Sequence, residues 1–262
     1  MFMPIRVLQI SDCHLFQDIK GRLLGMNTQD SLTRVLNLVK EDAPYDVALC
    51  TGDLVQDASV VGYKRFRDMM NELAIPQYWI PGNHDVRANM QEATRNSTVL
   101  HPVIQIGAWQ IIMLDSTIEG AVPGLLSEAT LEFLDKKLTM GKSLHTVVCL
   151  HHQPIPIGAK WLDQLGVQNA DDFLKVIDKH QNVRAVAWGH VHQHFDGSYN
   201  NIPFFATPST CIQFTPKSDE FAVDTLSPGY RSFLLHSDGR VESEVKRVAI
   251  FDFEIDRSIK GY

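Results

Sequence analysis

Gln77-Tyr78-Trp79-Ile80-Pro81-Gly82-Asn83-His84-Asp85 is the stretch on which the fold turns. Four residues of strand character run into a Pro-Gly turn, then into three side chains that bind metals or move protons. The construction recurs four times. Arg6-Val7-Leu8-Gln9-Ile10 leads into Ser11-Asp12-Cys13-His14, and Asp46-Val47-Ala48-Leu49-Cys50 into Thr51-Gly52-Asp53. Thr146-Val147-Val148-Cys149-Leu150 leads into His151-His152-Gln153-Pro154, and Arg184-Ala185-Val186-Ala187-Trp188 into Gly189-His190-Val191-His192. In open α/β sheets, ligands bind beyond the carboxyl ends of the strands. Five strands delivering Asp, His and Asn to one edge of a sheet therefore predict one site. Its donors are oxygen and imidazole nitrogen with no thiolate pair, which suits Mn, Fe or Zn rather than a structural Cys-type zinc.

Spacing sharpens the expectation. Backbone that stays extended past a strand end points residues i and i+2 to one side. Asp12 and His14 then reach one ion with Cys13 turned away, and His190 and His192 either clasp one ion or reach two neighbouring ones. Gly52, Gly82 and Gly189 each precede a candidate ligand, where the missing side chain lets the backbone come close. A lone D-x-H or H-x-H is weak evidence; five clusters, each ending a β-like run, leave chance or core packing a poor explanation.

Between the strands lie helical patterns. Leu32, Val35, Leu36 and Val39 keep the 3.6-residue period, with Thr28 or Asp30 as cap and Pro44 beyond the end. Tyr63, Phe66, Met69, Met70 and Leu73 repeat it, Ser127 with Thr130 opens a third helix, and a fourth spans roughly 171–179. Strand alternating with helix predicts crossover units and a parallel sheet. Residues 110–114 and the segments 195–199, 203–206, 231–236 and 240–248 read as short strands of a second, mixed sheet.

D-x-H, G-D, G-N-H-D, a later His and G-H-x-H, in this order, resemble the signature of the calcineurin-like metallophosphoesterases. The segment from Ala206 to Phe214 and on through Ser227-Pro228-Gly229-Tyr230-Arg231 is similar to the bacterial class III cyclic nucleotide phosphodiesterases among them. The resemblance implies an α/β fold, a four-layer α/β/β/α sandwich with the metal site at the C-terminal ends of the strands. It implies two divalent or mixed-valence ions, Fe or Mn first, with Zn or Co accepted by the same donors. Asp53 bridges them, Asp12, His14 and His192 complete one ion, and Asn83, His151 and His190 complete the other. The implied activity is hydrolysis of 3′,5′-cyclic AMP to 5′-AMP by a hydroxide held between the ions. The alternative is a broader phosphodiesterase or nucleotidase acting on glycerophosphodiesters or other small phosphoesters.

Two further residues carry catalytic expectations. By the same resemblance His84 contacts the phosphate and protonates the leaving group, a task for a side chain that titrates near neutral pH. Asp85 either orients His84 or caps the next helix. Asn83, His84 and His194 are the candidate substrate contacts. His194 either continues the series His190, His192, His194 into the pocket or is an exposed strand histidine. His152 should point away from His151 and read as structural. Thr207, Ser209 and Thr210 offer hydroxyls to phosphate or ribose, or simply form a turn. A catalytically dead scaffold of the same fold should lack several ligands or His84, and all are present.

Composition narrows the partners. The 262 residues show no linker or repeat and predict a single domain over 1–262. A net charge of −7 speaks against a nucleic-acid surface, which needs clustered Lys and Arg, while a small cyclic nucleotide remains open because bound cations set the local field. Four cysteines without C-x-x-C spacing fit a reducing compartment. No signal-like pattern precedes Asp12 and no apolar run reaches membrane-spanning length. The expectation is a cytoplasmic monomer or homodimer with no membrane partner.

Overall fold

The computed structural model describes residues 3–42, 44–249 and 253–256. β1 (Ile5–Ile10) is followed by the small hairpin β2 (Arg22–Leu23) and β3 (Met26–Asn27), then α1 (Thr28–Asp42), β4 (Val47–Thr51), α2 (Val60–Asn71), β5 (Gln77–Ile80) and α3 (Arg87–Ala93). A hairpin of β6 (Val103–Ile106) and β7 (Trp109–Met113) leads to α4 (Glu128–Met140), β8 (His145–Cys149), the short α5 (Lys160–Asp163), α6 (Ala170–Asp178) and β9 (Val183–Trp188). The remainder is β10 (Phe195–Tyr199), β11 (Ile202–Ala206), β12 (Gln213–Phe214), β13 (Val223–Asp224), β14 (Gly229–Leu235) and β15 (Val241–Arg247).

These strands form a five-stranded sheet, β15-β14-β1-β4-β5, and a six-stranded sheet, β10-β11-β9-β8-β7-β6. In the six-stranded sheet the parallel strands lie inside and antiparallel arms form both edges; in the five-stranded sheet β1, β4 and β5 are parallel, with β5 at one edge and the antiparallel β14 and β15 on the other side. Alternation along the strands sorts side chains into three cores. Val47 and Leu49 of β4 meet Val147 and Cys149 of β8 and Ala185 and Ala187 of β9 between the sheets. Ala48 and Cys50 face the other way, against Leu32, Val35, Phe66 and Met70 of α1 and α2. Val148, Val186 and Trp188 pack outward against Leu134, Leu138 and Phe173 of α4 and α6. Near-continuous apolar runs were required because each inner strand is covered on both faces. The result is the expected four-layer α/β/β/α sandwich.

The division of strands differs from the sequence expectation. The five motif strands do not share one sheet edge: β1, β4 and β5 belong to one sheet, β8 and β9 to the other. The two sheets stack with these strands' carboxyl ends at the same end of the sandwich, so the clusters still converge. Nor do the late strands form one sheet with residues 110–114. β14 and β15 extend the first sheet, while β10 and β11 extend the second. Hydrophobic periodicity says that a strand is buried on both faces but not which partner lies beside it.

Of the caps read from the sequence, Ser127 stands: it accepts from Thr130 N at the start of α4. At α2 the cap is Ser59, which accepts from Gly62 N. For α1 the cap is Asn27, whose Oδ1 accepts from Asp30 N at 2.8 Å, rather than Thr28 or Asp30. Two contacts pin the sheets together near the convergent end. Gln9 Nε2 donates to Thr51 Oγ1 (3.0 Å) and to Trp188 O (3.1 Å), and the fully buried Arg231 of β14 donates to Ala206 O of β11 at 2.9 Å.

Candidate metal centre

Asp12, His14, Asp53, His190 and His192 all take left-handed backbone conformations, with φ of 56°, 46°, 52°, 64° and 47°. This corrects the extended-backbone reading of the D-x-H and H-x-H spacings. The chain turns at once after β1, β4 and β9, and a non-glycine residue held this way costs about 1 kcal/mol or more. Cys13 does turn away into the α1–α2 core, as expected, but the left-handed turn on either side is the cause.

The turns are held by a dense set of hydrogen bonds. Asp12 N donates to Gly52 O and His14 N to Asp53 O, both at 2.9 Å, and His190 N donates to the Asp12 carboxylate at 3.0 and 3.1 Å. Ser209 Oγ donates to Asp12 O at 2.7 Å, so this hydroxyl braces a turn rather than facing a substrate. Thr207 and Thr210 are fully buried beside it. A side chain at Gly82 would collide with Asp53, and one at Gly189 with Ser11 and Asp12.

The functional atoms converge on one oxygen. Asp53 Oδ2 lies 3.3 Å from His151 Nε2 and 3.8 Å from His14 Nε2. His14 Nε2 is 3.2 Å from His192 Nε2, which is 3.4 Å from Asp12 Oδ1. His151 Nε2 is 3.2 Å from Asn83 Oδ1. Donors bound at roughly 2.0–2.2 Å to one ion stand about 3.0–3.5 Å apart. The spacings therefore divide into an Asp12–His14–His192 group and an Asn83–His151 group with Asp53 between them. His190 joins the second side, its ring 5.1 Å from that of His151.

Tautomers agree with this division. His151 Nδ1 meets Thr51 O at 2.7 Å, His192 Nδ1 meets Ile212 O at 2.8 Å, and His14 Nδ1 meets Gln56 Oε1 at 2.6 Å. Each acceptor holds the proton on Nδ1 and leaves Nε2 as the electron-pair donor, the arrangement that orients metal-bound histidines. Asp53 Oδ2 and both ring nitrogens of His190 are buried and find no hydrogen-bond partner among the described residues. Such atoms are costly to bury unless something binds them. Four groups of His and Asp side chains, Asp12–His14–His192 and Asp12–Asp53–His151 among them, are close enough to hold metal ions. The residues present fit a pair of cations.

Charge follows the same pattern. Burial works against ionising Asp53, but the neighbouring His151, His84 and His14 outweigh it and hold its carboxyl well below the usual range. Burial also opposes a charged His151, yet Asp53 pushes it up to about 9. Burial drives His14 and His190 well down.

The other predicted residues separate clearly. His84 N donates to Asp53 Oδ1 at 2.8 Å, and its half-buried ring stands edge-on to His14 at 5.1 Å. Asp85 does not cap the next helix, which starts at Arg87 after Val86 without a side-chain cap. Its carboxylate accepts instead from Leu54 N, Val55 N, Gly82 N and Tyr63 Oη, locking the Asp53 turn to the Asn83 turn. His152 turns its nitrogens to Ser116 Oγ (2.8 Å) and Val122 O (2.9 Å), and burial beside His151 pushes it down to about 3. His194 is not brought to the centre. It is exposed just before β10, with Nε2 3.1 Å from Asp196 Oδ2, because the left-handed turns break the series it seemed to continue. Gln56 and Ser116 carry no motif of their own, and only their nearness to Asp53 and Leu114 in sequence points to them.

Comparison with known proteins places this architecture. Residues 5–194 match the calcineurin-like phosphoesterase family. The chain is 41% identical over 259 residues to the 3′,5′-cyclic adenosine monophosphate phosphodiesterase CpdA of Pseudomonas aeruginosa, covering 98% of this chain and 95% of that one. It is 40% identical over 261 residues to the protein of the same name from Escherichia coli, again with 98% and 95% covered. A crystal structure of a dimetal phosphatase from Danio rerio shares the fold, with a TM-score of 0.68 at 16% identity over 95% of this chain and all of that one. Matched through its motifs and nearly end to end, the chain belongs to the calcineurin-like phosphoesterase family.

Proposed function

We propose that this protein is a metal-dependent phosphodiesterase that hydrolyses 3′,5′-cyclic AMP to 5′-AMP. The observation that carries the reading is the buried, otherwise unpartnered Asp53 Oδ2 between His151 and His14. Two relatives of about 40% identity named for cyclic AMP hydrolysis support the substrate. Asp12, His14, His192 and Asp53 would hold one ion; Asn83, His151, His190 and the same Asp53 the other. The oxygen and imidazole donors favour Fe or Mn and accept Zn or Co. Bound there, two divalent ions lower the pKa of water and neutralise charge on the phosphoryl oxygens.

The chain's own groups complete the reaction. A water oxygen joins phosphorus, the bond from phosphorus to O3′ breaks, and O3′ needs a proton. His84 supplies it, its backbone anchored on Asp53 Oδ1 and its ring beside His14. Asp85 positions rather than reacts, since its oxygens are occupied by backbone N–H groups and Tyr63. His194, exposed and paired with Asp196, is left out of the substrate contacts.

No described helix is long and apolar enough to cross a membrane, and the net charge is −7. A cytoplasmic enzyme acting on a small nucleotide, as monomer or homodimer without nucleic-acid or membrane partners, agrees with both. Rates for cyclic AMP, cyclic GMP, a 2′,3′-cyclic nucleotide and a glycerophosphodiester on metal-reconstituted protein test the reading. Cyclic AMP should give the highest kcat/KM, and a glycerophosphodiester turned over faster would favour the broader phosphodiesterase.

A further inference from the structure

A cleft of about 240 Å³ opens between the carboxyl ends of β5 and β7 and the first turns of α4. Ile80, Met113, Leu114 and Phe133 give it apolar walls, and Arg87 and Asp115 stand among its lining residues as an ion pair, Nη1 to Oδ2 2.8 Å. On both sides the chain leads from the cleft toward the centre. Ile80 lies three residues before Asn83, while Asp115 precedes Ser116, whose Oγ meets His152 Nδ1. The His152 ring in turn stands 4.8 Å from that of His151.

We propose that this cleft seats the purine base of the cyclic nucleotide, and that Arg87 and Asp115 read it as adenine; the inference rests on the function proposed above. Pockets that enclose a drug-sized ligand run from roughly 300 to 1,000 Å³. A cleft below that range suits one flat heterocycle, with ribose and phosphate outside it toward Asn83 and His84. Apolar walls suit the faces of a base, and the charged pair suits its polar edge.

The pair also discriminates. Asp115 Oδ1 accepts from Thr117 N (3.0 Å) and Thr117 Oγ1 (2.7 Å), which fixes the carboxylate beside the guanidinium. Acceptor and donor therefore lie side by side, as in the side-chain amides that recognise adenine through its amine and N7. Guanine presents two acceptors on the same edge, so its O6 would face the carboxylate. Arg87 and Asp115 are 53% and 31% exposed, so water weakens the preference without removing its sign.

Metal-loaded wild type, Ala129→Phe and Asp115→Asn, assayed on cyclic AMP, cyclic GMP and bis(4-nitrophenyl) phosphate, test this. Ala129 is exposed on the first turn of α4 and lines the cleft, so phenylalanine there fills it without entering the core. Ala129→Phe should lower kcat/KM for cyclic AMP at least tenfold relative to the aryl diester, which has no base. Saturation-transfer NMR should show adenosine binding to wild type and not to Ala129→Phe. Asp115→Asn should reduce the preference for cyclic AMP over cyclic GMP about tenfold, the size of one good base contact. If wild type hydrolyses cyclic AMP but either variant keeps the wild-type ratio, the cleft assignment is overturned and the function stands. Wild type inactive on cyclic AMP, with metals bound, would overturn the function and the cleft with it.

Discussion

Asp53 Oδ2 stands 3.3 Å from His151 Nε2, close enough for strong attraction yet without hydrogen-bonding geometry. With His14 Nε2 on the opposite side at 3.8 Å, one carboxylate oxygen faces both histidine groups. Asp53→Ala should therefore lose both metals, or keep one weakly. Elemental analysis after a chelator wash reads this directly, and two tightly held ions per chain in the variant would remove Asp53 from the bridge.

Neighbouring histidines should behave in opposite ways. His151→Ala removes a donor from the centre and should abolish turnover with every metal tried. His152→Ala leaves a cavity and unpairs Ser116, which should cost about 2–4 kcal/mol of stability. It should still load two metals and keep most of its activity below its lowered Tm. A folded, metal-loaded but inactive His152→Ala would mean that the wrong imidazole has been assigned.

Gln56 fixes the tautomer of His14 with a neutral amide at 2.6 Å, where His151 and His192 use backbone carbonyls. Loss of such an orienting partner typically costs 10–100-fold in metal affinity. Gln56→Leu should weaken one of the two ions by about that factor, while Gln56→Glu, which keeps the acceptor, should not. Competition against a fluorescent chelator separates the outcomes, and equal affinities in wild type and Gln56→Leu would refute the role.

His84 is tested by the leaving group. General acid catalysis contributes about 10²–10⁴-fold, so His84→Ala should slow cyclic AMP hydrolysis by a factor in that range. Nitrophenolate leaves readily without a proton, so the loss on an aryl diester should be much smaller with both metals bound. Equal losses on the two substrates would make His84 a phosphate-positioning group.

Much of this was legible in the sequence. Each of the five motif strands could be read from its apolar run, and the candidate donors Asp12, His14, Asp53, Asn83, His151, His190 and His192 from the turns that end those runs, whereas the short β2, β3, β6, β12 and β13 carry no such signal. What could not be read was the pairing of strands across two sheets, since burial on both faces looks the same whether the neighbour is β4 or β8. The turns were misread for a local reason. Left-handed φ at Asp12 and His190 is imposed by tertiary hydrogen bonds such as Ser209 Oγ to Asp12 O and His190 N to the Asp12 carboxylate, which join residues nearly 200 positions apart. The misplacement of His194 followed from that error. Asp85 looked like a helix cap because an acid before a helix often is one; its true partners, Leu54, Gly82 and Tyr63, come from other elements.

The most direct measurement is the fate of cyclic AMP in ¹⁸O-water with the metal-reconstituted protein, followed by ³¹P NMR and mass spectrometry. Hydrolysis at the bond to O3′ predicts 5′-AMP as the sole product, carrying one ¹⁸O on phosphorus, and no product after the metals are removed by chelation. Formation of 3′-AMP, or unchanged cyclic AMP with two ions bound per chain, would contradict the account.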